Sequence, residues 1–208
     1  MELDNIIYPG FNKTLSELNA ISKIKKKSCE IVDLTEIEWV RDVLRHRVEE
    51  VGTYDIKFRK PTDEEIKSVS EIVGADINID ELKNNFHKNK RIIGITSGKG
   101  GVGKSTITSL LGIAFDELGK KVGIMDSDIW GYSVPKILGA KFPPIPFNER
   151  IFPSRINNLN VISMDYFVKQ DEAVIWRGPM LHKAIEQFLF EVLWHDIDIL
   201  LIDMPPGT

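Results

Sequence analysis

Apolar residues recur along the chain with two periods, and the alternation between those periods lays out the elements. Ala20–Lys25 and Ser28–Val32 read as two short strands around a lysine-rich turn. Ile37, Val40, Leu44, Val48 and Val51 then fall three or four apart, the spacing of one helical face, and Gly52 stops the run. Thr35 with Glu38 has the form of a capping box for that helix, in which a hydroxyl and a carboxylate satisfy first-turn amides reciprocally. Tyr54–Arg59 alternates as a third strand, and Thr62 with Glu65 opens a second helix through Ile66, Val69 and Val73, closed by Gly74. Residues 1–75 are therefore expected to form a small α+β domain, and the broken, polar stretch 76–90 a linker.

From residue 91 onward, strand and helix patterns alternate. Arg91–Thr96 is an apolar run, and Ile107, Leu110, Leu111, Ala114, Phe115 and Leu118 repeat at helical spacing before Gly119. That face is expected to lie on a sheet. Lys121–Met125 and Asn160–Met164 read as strands. A helix from Met180 carries Leu181, Ala184, Ile185, Phe188, Leu189, Val192 and Leu193 on one side, and Asp198–Asp203 is a last apolar strand ending in a carboxylate. Strands alternating with helices predict an α/β class for 91–208, a mostly parallel sheet flanked by helices.

The chemistry is concentrated between the first of those strands and its helix, in Ser-Gly-Lys-Gly-Gly-Val-Gly-Lys-Ser-Thr at residues 97–106. Gly98, four residues, Gly103, Lys104 and Ser105 match the phosphate-binding loop, in the strand-then-helix context that pattern requires. Glycines let the backbone turn with positive φ and bring successive N–H groups onto phosphate oxygens, with the unpaired amides of the helix behind them. Lys104 is positioned to reach the terminal phosphates and Ser105 to offer a hydroxyl to Mg²⁺. Lys99 is an addition, since an ordinary loop needs no lysine directly after its first glycine, and a second cation implies a second anion contact. One strand further on, Asp126 and Asp128 stand two apart at a C-terminal strand end, so both carboxylates can face one site. Asp126 is expected to organise Mg²⁺ and its waters, Asp128 to position an attacking water, and Asp203 to reach the Mg²⁺ shell.

Composition narrows the partners. A net charge of −4 on 208 residues argues against the clustered basic face that binds nucleic acid, and the lysine run at 23–27 is read as a solvated turn. No apolar stretch approaches the length of a membrane span and no secretory leader precedes the first elements, so no membrane is expected and a cytoplasmic protein is. The single cysteine, Cys29, cannot form an intramolecular disulfide or hold a cluster unaided, and the four histidines lack metal-ligand spacing.

The loop Gly98-Lys99-Gly100-Gly101-Val102-Gly103-Lys104-Ser105 resembles the deviant Walker A of the ParA, MinD and nitrogenase-iron-protein superfamily. Three stretches together resemble the Mrp/ApbC/Nbp-type iron–sulfur carrier ATPases. They are Gly98–Thr106; Asp126-Ser127-Asp128-Ile129-Trp130-Gly131-Tyr132-Ser133-Val134-Pro135; and Trp176-Arg177-Gly178-Pro179-Met180 with Asp203-Met204-Pro205-Pro206-Gly207-Thr208. The resemblance implies a P-loop ATPase over 91–208 in which Gly98, Lys99, Gly100, Gly101, Val102, Gly103, Lys104, Ser105 and Thr106 hold ATP. It further implies that Ser105 serves Mg²⁺ directly and Asp126 and Asp203 serve it from beyond its direct ligands, and that Lys99, Lys104 and Asp128 are catalytic, with Lys99 acting across a homodimer. The implied activity is hydrolysis of ATP to ADP and phosphate, coupled to passing [4Fe–4S] clusters to apoproteins. The family's Cys-x-x-Cys pair is expected downstream, so this chain reads as a fragment or a truncation, and no iron–sulfur ligand is assigned within it. In its order of elements the first domain resembles the small MIP18-like domain, with Tyr8-Pro9-Gly10 near that domain's Asp-Pro. Its usual threonine-plus-cysteine signature is absent, and an interaction module is the alternative. For the whole, the alternatives are a ParA/MinD-like dimerisation switch for positioning, or a nucleotide-binding module without turnover.

Overall fold

The computed structural model describes residues 2–25, 28–86, 88, 90–128, 131–167, 178–194 and 197–207, with the side chains of residues 25 and 178–181 excepted. The chain divides into two units, one comprising residues 1–76 with 146–150, the other residues 77–145 with 151–208.

The first unit contains a two-stranded pair, β1 (Ile7–Tyr8) and β2 (Lys13–Thr14), and a three-stranded sheet of β3 (Ile21–Lys25), β4 (Ser28–Val32) and β5 (Asp55–Arg59). β3 and β4 are antiparallel, whereas β4 and β5 are parallel, because helix α1 (Glu38–Val51) forms the crossover between them. α2 (Asp63–Val73) follows β5. Its start is the expected capping box, with Glu65 N–H on the Thr62 hydroxyl and Thr62 N–H on the Glu65 carboxylate, and Gly74 closes it in the left-handed conformation. The other expected box does not form. Glu36 has a positive φ of 54°, the turn there is held by its N–H on the Asp33 carboxylate, and Ile37 becomes the cap. Glu38 is then the first helical residue rather than the third, too early to reach back, and it pairs with Arg41 and Arg45 instead.

In the second unit, α3 (Ile79–Asn85), β6 (Arg91–Ile95), α4 (Lys104–Glu117), β7 (Val122–Asp126) and α5 (Val134–Leu138) come first. A hairpin of β8 (Ile145–Phe147) and β9 (Arg150–Phe152) follows, whose tip belongs to the first unit. After it come β10 (Ser154–Ile156), β11 (Leu159–Ser163), α6 (Gly178–Phe190) and β12 (Ile199–Asp203). The stretch 76–90, read as a linker, thus contains a capped helix: the Asn78 side chain accepts from Asp80 N–H. β10, β11, β7, β12 and β6 form one sheet in that order, parallel except for β10. Helices cover both faces. On one side Ala184 and Phe188 of α6 pack with Met125, Ile162 and Leu200; on the other Leu111, Phe115 and Leu138 pack against Val122, Ile124, Val161 and Leu201. α6 ends at Phe190, so Val192 and Leu193, expected on its apolar face, lie beyond it and are buried there, Val192 in a bridge to Ile151.

The α4 face is the main departure from expectation. Leu111 and Phe115 do reach the sheet side, but Ile107, Leu110, Ala114 and Leu118 are exposed, Leu118 to 73%. The buried stripe is Lys104, Thr108, Ser109 and Gly112. Its phase is set by Lys104, which has to enter the site at the strand ends, and steps of four from there bring Thr108 and Gly112 against the sheet. The two hydroxyls are satisfied by carbonyls one turn back, Thr108 on Lys104 and Ser109 on Ser105. A Cβ on Gly112 would stand 2.6 Å from Ile124 Cδ1, so the helix approaches the sheet closely there and any added side chain has to displace that methyl.

Candidate functional site

Parallel register assembles the site. The last residues of the three neighbouring strands β11, β7 and β12 are direct partners, Ser163 with Asp126 and Asp126 with Asp203, and Asp203 in turn pairs with Ile95, where β6 runs out into the loop. Ser127 continues the row, giving both its N–H and its hydroxyl to the Asp203 carbonyl.

The loop itself is exposed from Gly98 to Val102. Gly101 and Gly103 adopt φ of 71° and 92°, the left-handed region that a side chain resists, and a Cβ at Gly98, Gly101 or Gly103 would meet no atom within 4 Å. The space over the loop is therefore open to a ligand while the backbone is shaped. Ser97 holds it from one end, its hydroxyl on the Lys99 carbonyl and its own carbonyl accepting from Gly207 N–H. α4 begins directly behind, so its first-turn amides and the positive end of its dipole face the same space.

Lys104 is buried although charged, and its ammonium lies 3.8 Å from Asp128 Oδ2. The other Asp128 oxygen accepts from Gly131 N–H, and a Cβ on Gly131 would stand 3.0 Å from the carboxylate, so a side chain there would crowd it. The three carboxylates differ in their surroundings. Asp126 is fully enclosed and saturated: Oδ2 accepts from the Ser163 hydroxyl at 3.0 Å and from the Ser133 and Val134 N–H groups, and Oδ1 from Asp128 N–H. Burial and then the neighbouring Asp203 push its pKa up to about 7 against those donors. Asp203 is equally buried, yet neither of its carboxylate oxygens has a hydrogen-bond partner among the described residues. Burial raises its pKa, with the nearby Ser105 hydroxyl and Lys104 ammonium acting in the opposite sense.

An orphaned buried carboxylate beside a hydroxyl is what a hard divalent cation fits. Mg²⁺ takes one or two protein oxygens and completes its octahedron with phosphate and water, so the absence of any three converging His, Cys, Asp or Glu ligands among the described residues is compatible with it. Ser105 and Asp203 are the groups that would face such an ion if one were bound. Asp126, whose oxygens are all engaged by protein donors, is the group that holds the surrounding backbone.

The expected site residues Lys104, Asp126, Asp128 and Asp203 thus come together at the C-terminal strand ends, with Ser105 half-buried beside them. Lys99 and Thr106 are exposed, Lys99 on the loop and Thr106 on the first turn of α4. Ile129, Trp130, Trp176 and Arg177 lie outside the described residues; Gly178–Met180 open α6. Sequence reading does not single out Ser163, and it includes Ser127 in the 126–135 stretch without giving it a role. Their signal was positional, since each stands at or just past the end of a strand that delivers an aspartate or neighbours one.

Comparison with known proteins follows the same region. The family profile described as "ParA: NUBPL iron-transfer P-loop NTPase" matches residues 88–208. An iron–sulfur cluster carrier protein of Mycobacterium leprae is 47% identical over 118 residues, 57% of this chain and 31% of that protein. The protein of the same description in Helicobacter pylori is 33% identical over 99% of this chain and 56% of its own length. The chain therefore spans between about a third and just over half of these relatives. Among solved structures, a nucleotide-binding protein from Archaeoglobus fulgidus in complex with ADP is similar with a TM-score of 0.52 and 34% identity, over 63% of this chain and 51% of that one.

Proposed function

From the chain's membership of the ParA-type, NUBPL iron-transfer P-loop NTPase family, we propose that it binds Mg·ATP in the loop Gly98–Thr106, hydrolyses it to ADP and phosphate, and acts in carrying [4Fe–4S] clusters to apoproteins. The single observation that carries the nucleotide reading is the buried constellation behind the loop: Lys104 against Asp128, with the oxygens of Asp203, unpartnered among the described residues, beside them.

In this reading the loop amides and the first turn of α4 bind the phosphates, and Lys104 leaves Asp128 for the terminal phosphate, where opposite charges at contact attract by about 4 kcal/mol at an effective dielectric of 20. Asp128, freed of its ammonium, orients and polarises the attacking water. Ser105 and Asp203 hold Mg²⁺, which neutralises charge on the phosphate oxygens. Asp126 keeps the Asp128 backbone and the start of α5 in place. Lys99, exposed on the loop, is the cation for the partner's nucleotide in a homodimer. The carrier role is supported by what the curated relatives are called, and the cluster is cargo, with no ligand for it assigned to this chain. A cytoplasmic setting goes with that role, and among the described residues no helix is long and apolar enough to cross a membrane.

Phosphate release and nucleotide affinity, measured together, test the proposal. Asp128→Asn is expected to retain Mg·ATP and to lose turnover by at least tenfold, and Lys99→Ala to make turnover independent of protein concentration while binding persists. Turnover unchanged in either variant would remove that residue's role.

A further inference from the structure

We propose that Ser163 is a positioning residue of the nucleotide site, whose hydroxyl fixes the Asp126 carboxylate and through it the backbone that presents Asp128 to Lys104. The inference rests on the nucleotide reading above and adds to it a residue from a strand that carries none of the recognised motifs.

The argument is one of hydrogen-bond valence. Ser163 ends β11 and is the register partner of Asp126 on β7, so the two side chains meet across neighbouring parallel strands in a region with no solvent exposure. A serine hydroxyl has one proton to give. Here the oxygen already accepts from Asp165 N–H at 3.2 Å, as the cap of the turn Met164–Tyr166, which directs that one proton at Asp126 Oδ2, 3.0 Å away. Among the described residues, Asp126's remaining donors are backbone amides of the segment it organises: Asp128 on one oxygen, Ser133 and Val134 on the other. Those amides cannot by themselves define the carboxylate's orientation, because they belong to the piece being oriented. Ser163 is the reference from outside that piece, fixed to the sheet by its strand. The chain of contacts then runs from Ser163 to Asp126, to the Asp128 backbone, and from the Asp128 carboxylate to Lys104 at 3.8 Å. This is how outer hydrogen bonds orient a functional group that does not itself touch them.

The test uses Ser163→Ala, Ser163→Thr and Ser163→Cys. Calorimetry counts competent Mg·ATP sites, phosphate release gives kcat per competent site, and amide hydrogen exchange follows Asp128, Ser133 and Val134. Ser163→Ala is expected to hold ATP affinity within about threefold, lower kcat per site about tenfold, and speed exchange at the three amides at least tenfold. Threonine, which restores the hydroxyl, recovers both; cysteine, of nearly the same size but a weak donor, resembles alanine and covers the case in which alanine does not fold. On an Asp128→Asn background, Ser163→Ala lowers turnover no further. Wild-type protein that binds ATP without turnover would overturn the hydrolysis reading and leave exchange to decide on Ser163. Exchange rates and kcat per site unchanged by alanine and cysteine, or an alanine loss that threonine does not recover, would overturn the role of Ser163.

Discussion

Asp203→Asn should make the ligand-free protein more stable while removing its use of magnesium. Asp203 is fully buried and, among the described residues, neither of its oxygens has a hydrogen-bond partner, a state that costs at least about 1–3 kcal/mol for a polar group and more for a charge. Its register partner Asp126 is also buried. Two charges at the spacing of neighbouring strands, about 5 Å, repel by about 3 kcal/mol at an effective dielectric of 20. Against this stand the attractions of Ser105 and Lys104, which favour the ionised Asp203. The amide keeps the shape and removes the charge, so a net gain of about 1–3 kcal/mol is expected at pH 8, or roughly 2–12 °C in Tm for a chain of this size. At pH 5.5 the gain should shrink, because Asp126, with its pKa near 7, is by then protonated and the repulsion has gone. Thermal unfolding of both proteins at the two pH values, with and without Mg·ATP, measures all of this. Wild type should be stabilised more by Mg·ATP than by ATP with a chelator, and the variant equally by both. A variant destabilised by more than about 1 kcal/mol at pH 8 without ligand would show that the carboxylate is already satisfied, and the magnesium assignment would lose its basis.

Two other consequences can be read from stability. A Cβ at Gly112 already meets Ile124, with Leu159 next to it, so the larger Gly112→Leu should cost more than about 1 kcal/mol even after the helix-propensity gain, whereas Leu110→Lys, at a position 56% exposed, should fall within about 0.5 kcal/mol of wild type; denaturant titration that found the reverse order would put the Leu110 side of α4 on the sheet. Asp126 has a folded pKa raised from 3.8 to about 7, so the folded protein binds its proton more tightly than the unfolded chain. Stability from this group is complete below pH 4 and is lost as pH rises towards 7, by up to about 4 kcal/mol at 1.36 kcal/mol per unit. Asp126→Asn should flatten that part of the ligand-free pH profile, and an unchanged slope would contradict the burial of this carboxylate.

What the sequence revealed depends on how local each cause is. The loop is legible because every residue type in Gly98–Ser105 has a backbone or charge reason contained in the loop itself, and the Thr62–Glu65 cap is legible for the same reason. The Thr35–Glu38 pair has identical spacing and fails because Glu36 turns left-handed, a choice made by Asp33 and Arg41. β8 and β9 pass unmarked since their turn, Asn148-Glu149, takes positive φ at both positions without a glycine to announce it. The α4 stripe misleads most: hydrophobic periodicity finds an apolar face, but the need to carry Lys104 into the site chose the other one. Ser163 was invisible for a different reason, as its role comes from the register of β11 on β7, which no local pattern encodes.

The central claim is that residues 98–106 hold the phosphates of Mg·ATP with Lys104 as their main cation, and calorimetric titration of Mg·ATP into wild type and Lys104→Ala tests it most directly. The attraction of about 4 kcal/mol corresponds to roughly a thousandfold. A measurable wild-type affinity that falls by at least a hundredfold in a folded Lys104→Ala protein is the expected result, and equal affinities would contradict the account.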